Sequence, residues 1–132
     1  MKSISFEEFF SLLNNIKFKK FDMIVAIGSG GIIPAGFIQQ KLKIPMKILG
    51  VNYRDEKNNP QFDDAKILEE NEFGIEGKKI LVVDDVSRSG KTISKAKEYL
   101  KGNDVKTFVI NGKADYSFFN SEDCIGMPWK RD

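Results

Sequence analysis

Two short apolar runs constrain this chain more than anything else in it. Met23-Ile24-Val25-Ala26-Ile27 is stopped by Gly28-Ser29-Gly30-Gly31, and Ile80-Leu81-Val82-Val83 runs straight into Asp84 and Asp85. Apolar runs without alternation, bounded by Gly or by acidic residues, predict strands buried on both faces. Such strands need cover on each side, and the flanking sequence supplies it. Ile32 to Leu42 places Ile33, Phe37, Ile38 and Leu42 at helical spacing, and Thr92 to Leu100 has the same periodicity. Two more strands are predicted at Met46–Val51 and Thr107–Ile110. Strand, helix and strand at this pitch read as βαβ units. The expected fold is therefore α/β, a mostly parallel central sheet with helices on both faces.

An amphipathic helix precedes these units. Ser5 with Glu8 three residues on forms a capping box, and Phe6, Phe9, Phe10, Leu13 and Ile16 make one apolar stripe. Packing on the sheet is the reading preferred, with a partner-binding helix as the alternative. Tyr53 to Asp64 differs in kind. It is rich in charge and amide, has Phe62 as its large apolar residue, and reads as a solvated loop long enough to be a lid. With 132 residues, no repeat and no linker, the chain is expected to be a single domain over 1–132.

Composition removes several chemistries. The absence of histidine excludes a Ser-His-Asp triad and a His-based zinc site, and one cysteine, Cys124, excludes a Cys cluster or an internal disulfide. Lys and Arg number 21 against 19 Asp and Glu, and a net charge of +2 is too even to predict nucleic acid as a bulk electrostatic partner. No apolar run approaches the roughly 18 residues of a membrane span, and Met1-Lys2-Ser3-Ile4 opens no signal-peptide pattern. Together with the lone cysteine, this predicts a cytoplasmic protein with no membrane partner.

The chemistry is expected between Ile80 and Thr92. A buried strand delivers two adjacent carboxylates at its C-terminal end, where open α/β sheets bind ligands. Small polar residues then lead into a helix near Gly90. Backbone N–H groups at that helix start, with the Ser87, Ser89 and Thr92 hydroxyls, make a cradle for a phosphate. The carboxylates offer acceptors for hydroxyl groups or magnesium. A ribose 5-phosphate has both features in that arrangement. Two other phosphate motifs are excluded. A Walker A loop needs Gly five positions before Gly90, where Asp85 stands, and a dinucleotide fingerprint needs Gly where Ile33 stands. Solvated turn residues are a weak alternative for Asp84 and Asp85, because a buried strand ending in two like charges is costly unless something cationic or hydrogen-bonding meets them.

This segment resembles the signature of the type I phosphoribosyltransferases: four apolar residues, two acidic residues, an apolar stretch, then Thr or Ser, Gly, any residue, and Thr or Ser. Other segments agree in order. Ala26 to Ala35 resembles the family's pyrophosphate loop, and Tyr53 to Asp64 falls where the family carries its flexible catalytic loop. Ile110 to Lys113 and Met127-Pro128-Trp129 resemble the small C-terminal hood of the bacterial and archaeal xanthine/hypoxanthine group. The resemblance implies transfer of ribose 5-phosphate from phosphoribosyl pyrophosphate (PRPP) to a purine-like nitrogenous base, with magnesium as cofactor and pyrophosphate released. Dimers are usual in the family, and the Phe-rich first helix is one candidate for part of such an interface.

The resemblance also implies roles. Asp84 and Asp85 would face the ribose hydroxyls as catalytic residues and place magnesium indirectly, through ribose or water. Backbone amides over Val86, Ser87, Arg88, Ser89, Gly90, Lys91 and Thr92, with the Ser89 and Thr92 hydroxyls, would hold the 5-phosphate. Ser29, Gly30 and Gly31 belong to the pyrophosphate loop, where the family often has a cis peptide. Tyr53 and Arg54 would lie on the lid, and Lys113 is a candidate for an exocyclic oxygen of the base. Three positions depart from the family. Arg88 stands where the 6-oxopurine enzymes usually carry an Asp that handles a purine proton, and an arginine cannot act as a base. Ser29 stands where Lys or Arg is often found, and Cys124 where an aromatic residue stacks on the purine, with Tyr116, Phe118 or Phe119 as other platforms. Three readings follow: a working phosphoribosyltransferase, a PRPP-binding regulatory module without transfer activity, and a transferase for an acceptor that is not a nucleobase.

Overall fold

A computed structural model describes residues 2–52, 66–67 and 74–130. In chain order the elements are β1 (Lys2–Ser3), α1 (Phe6–Asn15), β2 (Met23–Gly28), α2 (Ile32–Leu42), β3 (Met46–Asn52), β4 (Lys66–Ile67), β5 (Lys79–Ser87), α3 (Lys91–Tyr99), β6 (Asp104–Gly112), β7 (Tyr116–Phe119) and β8 (Ile125–Gly126). The main sheet has the order β4-β3-β2-β5-β6-β7. Strands β3, β2, β5, β6 and β7 run parallel, and β4 pairs antiparallel at the edge.

The two apolar runs lie side by side, with Ile24 against Leu81, Val25 against Val82 and Ala26 against Val83. Alternation along each strand divides the apolar side chains between two cores. Ile24, Ala26, Leu81, Val83, Phe108 and Ile110 pack with α1 and α2, while Val25, Ile27, Ile80, Val82 and Val109 pack with Ile93 and Ala96 of α3. Helices thus cover both faces, as the uninterrupted apolar runs require.

Helix α1 starts as its sequence predicts. The Ser5 hydroxyl accepts the Glu8 N–H at 3.0 Å, and the Glu8 carboxylate accepts the Ser5 N–H at 3.4 Å. The apolar stripe is only partly buried, however. Phe9 and Leu13 are enclosed, whereas Phe6 and Phe10 are 44% and 41% exposed. These two rings lie at the rim of an aromatic cluster with Phe37. Helix α2 keeps most of its predicted face: Ile38 is buried and Phe37 and Leu42 pack, partly buried, against the same core, while Ile33 is exposed and Pro34 and Ala35 are buried as well. Apolar residues surround most of this helix, so spacing alone cannot select the inward side. The helix begins in close contact with the sheet at Gly31, since a Cβ there would meet the backbone oxygens of Val83 and Ile27. Only a glycine lets α2 begin that near β5.

The C-terminal hood has a feature with no local sequence signal. Strand β1 pairs in parallel with β8, and the Ile4 N–H donates to the Gly126 carbonyl at 3.0 Å. Trp129 then packs edge-on to Phe9, ring centroids 5.2 Å apart. The N-terminal segment therefore anchors the segment that closes one side of the site. Among the described residues no helix is long and apolar enough to cross a membrane.

Candidate functional site

Strand β5 does not stop at the aspartates. It continues to Ser87 because β6 runs beside it that far, with Val86 opposite Asn111 and Ser87 opposite Gly112. Both carboxylates therefore leave from ladder backbone and are held by it. Asp84 Oδ1 accepts the Asp85 N–H and Asp85 Oδ1 accepts the Val86 N–H, each at 2.8 Å. Asp84 is buried at 7% exposure, and that burial, reinforced by the neighbouring charge of Asp85, pushes its carboxyl well above the usual carboxylate range. The other oxygen of Asp85 faces Lys130 Nζ at 3.5 Å.

The loop after β2 closes on the same carboxylates. A Cβ on Gly30 would lie 2.6 Å from Asp85 Oδ1, so the carboxylate rests against a glycine that has no side chain to exclude it. The Gly28–Ser29 peptide bond is cis. Past β5, Gly90 takes a left-handed conformation at φ 80° and gives α3 no side-chain cap, while the Lys91 N–H donates to Ser89 Oγ at 3.3 Å. A turn of small residues leading into a helix N-terminus suits an anion, which meets amide dipoles there.

These parts surround a cavity of about 690 Å³. Ser29 and Gly30 line one side, Asp84 and Asp85 the floor, and Val86 through Gly90 with Thr92 the turn into α3. The structure thus gathers most of the residues singled out from sequence. Gly31, Lys91 and Lys113 stand apart from the lining: Gly31 is turned into the α2–β5 contact, and Lys113 is an exposed residue just beyond β6. Tyr53 and Arg54 lie outside the described residues. Sequence reasoning missed Val51 and Ile93, and also Ile125 and Lys130, which line the cavity with Cys124. The last two come from the chain's far end, and no spacing links them to Asp85.

The Arg88 side chain also has an unforeseen destination. Its guanidinium turns to the hood, with Nη1 donating to the carbonyls of Ser121 and Glu122 at 3.2 and 3.0 Å and Nη2 to that of Asp123 at 3.4 Å. Among the described residues no group of three or more His, Cys, Asp or Glu side chains could hold a metal ion by itself. Two adjacent carboxylates are hard oxygen donors, and they fit magnesium when a substrate's phosphates and water complete its shell.

Residues 6–117 match the family model of the phosphoribosyl transferase domain. The chain is 31% identical over 119 residues to an orotate phosphoribosyltransferase of Sulfolobus acidocaldarius, covering 89% of this chain and 56% of that one. It is 34% identical over 103 residues to the transcriptional regulator GfcR of Methanococcus maripaludis, covering 72% and 46%. It spans about half the length of the curated relatives it matches. A purine phosphoribosyltransferase structure from Pyrococcus horikoshii shares its fold, with a TM-score of 0.79, 24% identity, and coverage of 98% of this chain and 94% of that one. Paired carboxylates on β5, a turn after them into the N-terminus of α3 and a family match over most of the length converge, and the chain belongs to the type I phosphoribosyltransferase family.

Proposed function

We propose that this protein transfers the ribose 5-phosphate of PRPP to a nitrogenous base and releases pyrophosphate. The observation that carries the reading is the placement of Asp84, Asp85 and the turn into α3 around one cavity. In this reading the amides from Ser87 to Thr92, with the Ser89 and Thr92 hydroxyls, bind the 5-phosphate. Asp84 and Asp85 accept the ribose hydroxyls and thereby fix the sugar. The amides of Ser29 and Gly30 bind the pyrophosphate. A ring nitrogen of the acceptor then displaces pyrophosphate at the anomeric carbon. The bond to the new nitrogen forms as the bond to the leaving oxygen breaks, through a transition state in which the ribose gains oxocarbenium character, and the proton on that nitrogen passes to the departing pyrophosphate or to water. The carboxylates beneath the sugar stabilise that positive charge, and the enclosing walls limit attack by water. Magnesium, held through Asp84 and Asp85 indirectly and through the substrate's own oxygens, would neutralise charge on the leaving group.

The acceptor is a heterocyclic base, purine-like or orotate-like. The fold shared with a purine enzyme supports the first, and the identity to an orotate enzyme supports the second. Arg88, unable to accept a proton, and the likeness to a transcriptional regulator favour one other reading, a PRPP-binding module that does not turn over. The test is calorimetry of PRPP with magnesium, followed by pyrophosphate release on adding orotate, hypoxanthine, guanine, xanthine or adenine. Binding and release with one of these bases is the expected result, and binding without release selects the regulatory reading. Replacing Asp84 and Asp85 together by Asn is expected to abolish release, a loss of at least about a thousandfold if the carboxylates supply roughly 4 kcal/mol of transition-state stabilisation. Retained turnover in that variant removes the mechanism.

A further inference from the structure

The hood loop from Ser121 to Asp123 is held from two directions. From β6, Asn111 is buried at 1% exposure. Its Nδ2 donates to the carbonyls of Ser121 and Asp123, each at 3.1 Å, and its Oδ1 accepts the Ser121 N–H at 2.9 Å. From the turn after β5, the Arg88 guanidinium donates to the carbonyls of Ser121, Glu122 and Asp123. The Ser121 and Asp123 oxygens each receive one amide donor and one guanidinium donor. That use of both lone pairs leaves neither oxygen open to a ligand. Cys124 and Ile125 follow directly and line the cavity.

We propose that Arg88 and Asn111 are positioning residues that latch the hood loop, so that Cys124 and Ile125 form the acceptor-side wall and the phosphate turn sets where that wall stands. The term acceptor-side rests on the transfer reading above, whereas the latch itself does not. Position 88 thus serves acceptor specificity through the loop it holds. The fork of the guanidinium matters here, because it spans three successive carbonyls that the single ammonium of a lysine cannot span together. The described residues lining the cavity have acidic groups only at Asp84 and Asp85, so this wall meets its ligand with a thiol, an aliphatic side chain and backbone.

Cys124 is exposed with the latch closed, so its thiol is no gauge of the loop, whereas the Ser121 N–H is bonded to Asn111 Oδ1. The experiment measures amide hydrogen exchange over residues 121–125 in the folded chain, for wild type, Arg88→Met and Arg88→Lys. Urea midpoints identify any change caused by global unfolding. Exchange at least fivefold faster in Arg88→Met, with at most partial rescue by Arg88→Lys and little change in midpoint, is the expected result. Steady-state kinetics at saturating PRPP, with whichever base turns over, should show the acceptor KM rising tenfold or more in Arg88→Met. Unchanged exchange overturns the latch, and an unchanged acceptor KM overturns its part in acceptor binding. If wild type binds no PRPP, the transfer reading falls while the exchange rates still decide the latch. If Arg88→Met does not fold, Arg88→Lys carries the comparison and is expected to exchange faster than wild type.

Discussion

Asp84 shows how one residue's environment sets its chemistry. Its carboxyl is enclosed, sits beside another carboxylate, and accepts one backbone N–H, and burial outweighs the compensation. Because its pKa is raised on folding, the folded chain binds more protons at this residue than the unfolded chain does. Stability therefore falls as pH rises from the usual carboxylate range through the raised value, and levels above it. In metal-free protein, urea midpoints across that window should decline for wild type more steeply than for Asp84→Asn, which has no proton to lose. Equal slopes would mean that Asp84 is not held protonated by its surroundings. The same property suits a sugar site: two adjacent carboxylates that are costly when bare are relieved when hydroxyl donors or a cation arrive.

At the scale of elements, patterns in sequence worked where burial was decided locally. The apolar runs of β2 and β5 needed no partner to declare themselves, and the Ser5–Glu8 box marked the start of α1 to the residue. Periodicity was less informative about which ring of α1 goes inside. Phe6, Phe9 and Phe10 look equivalent in sequence, yet only Phe9 is enclosed, in edge-on contact with Phe118 and Trp129. Phe9→Ala is expected to cost about 3–5 kcal/mol in equilibrium urea unfolding, since a fully buried ring leaves a cavity. Phe6→Ala, which removes a half-exposed ring, should cost about 1 kcal/mol or less. Similar losses at both positions would show that another surface covers Phe6 in solution. The Met46 and Thr107 strands also formed, but β6 grew at both ends because its neighbour β5 gave it further backbone to pair with.

For the whole molecule, the site is a meeting of segments far apart in the chain. The loop after β2, the end of β5 and the hood approach one cavity only when the parallel sheet has formed and β1 has paired with β8. A ligand that touches several of them should stabilise them together. PRPP with magnesium at about a hundred times its Kd is expected to add about 2.7 kcal/mol to unfolding, read as a rise in thermal midpoint. The rise should vanish in the Asp84→Asn, Asp85→Asn double variant. A shift that persists there would place PRPP elsewhere.

Local sequence by itself determined the parallel strands, the helical cover, the twin carboxylates and the turn over residues 87–90, because each depends on residues within a few positions of one another. Tertiary structure alone decided that Lys130 faces Asp85, that Arg88 grips the hood loop from the edge of the cavity, and that Gly31 lets α2 begin against β5. Those outcomes depend on which backbone atoms arrive opposite a side chain after the sheet has assembled, and a spacing rule along the chain carries no record of that.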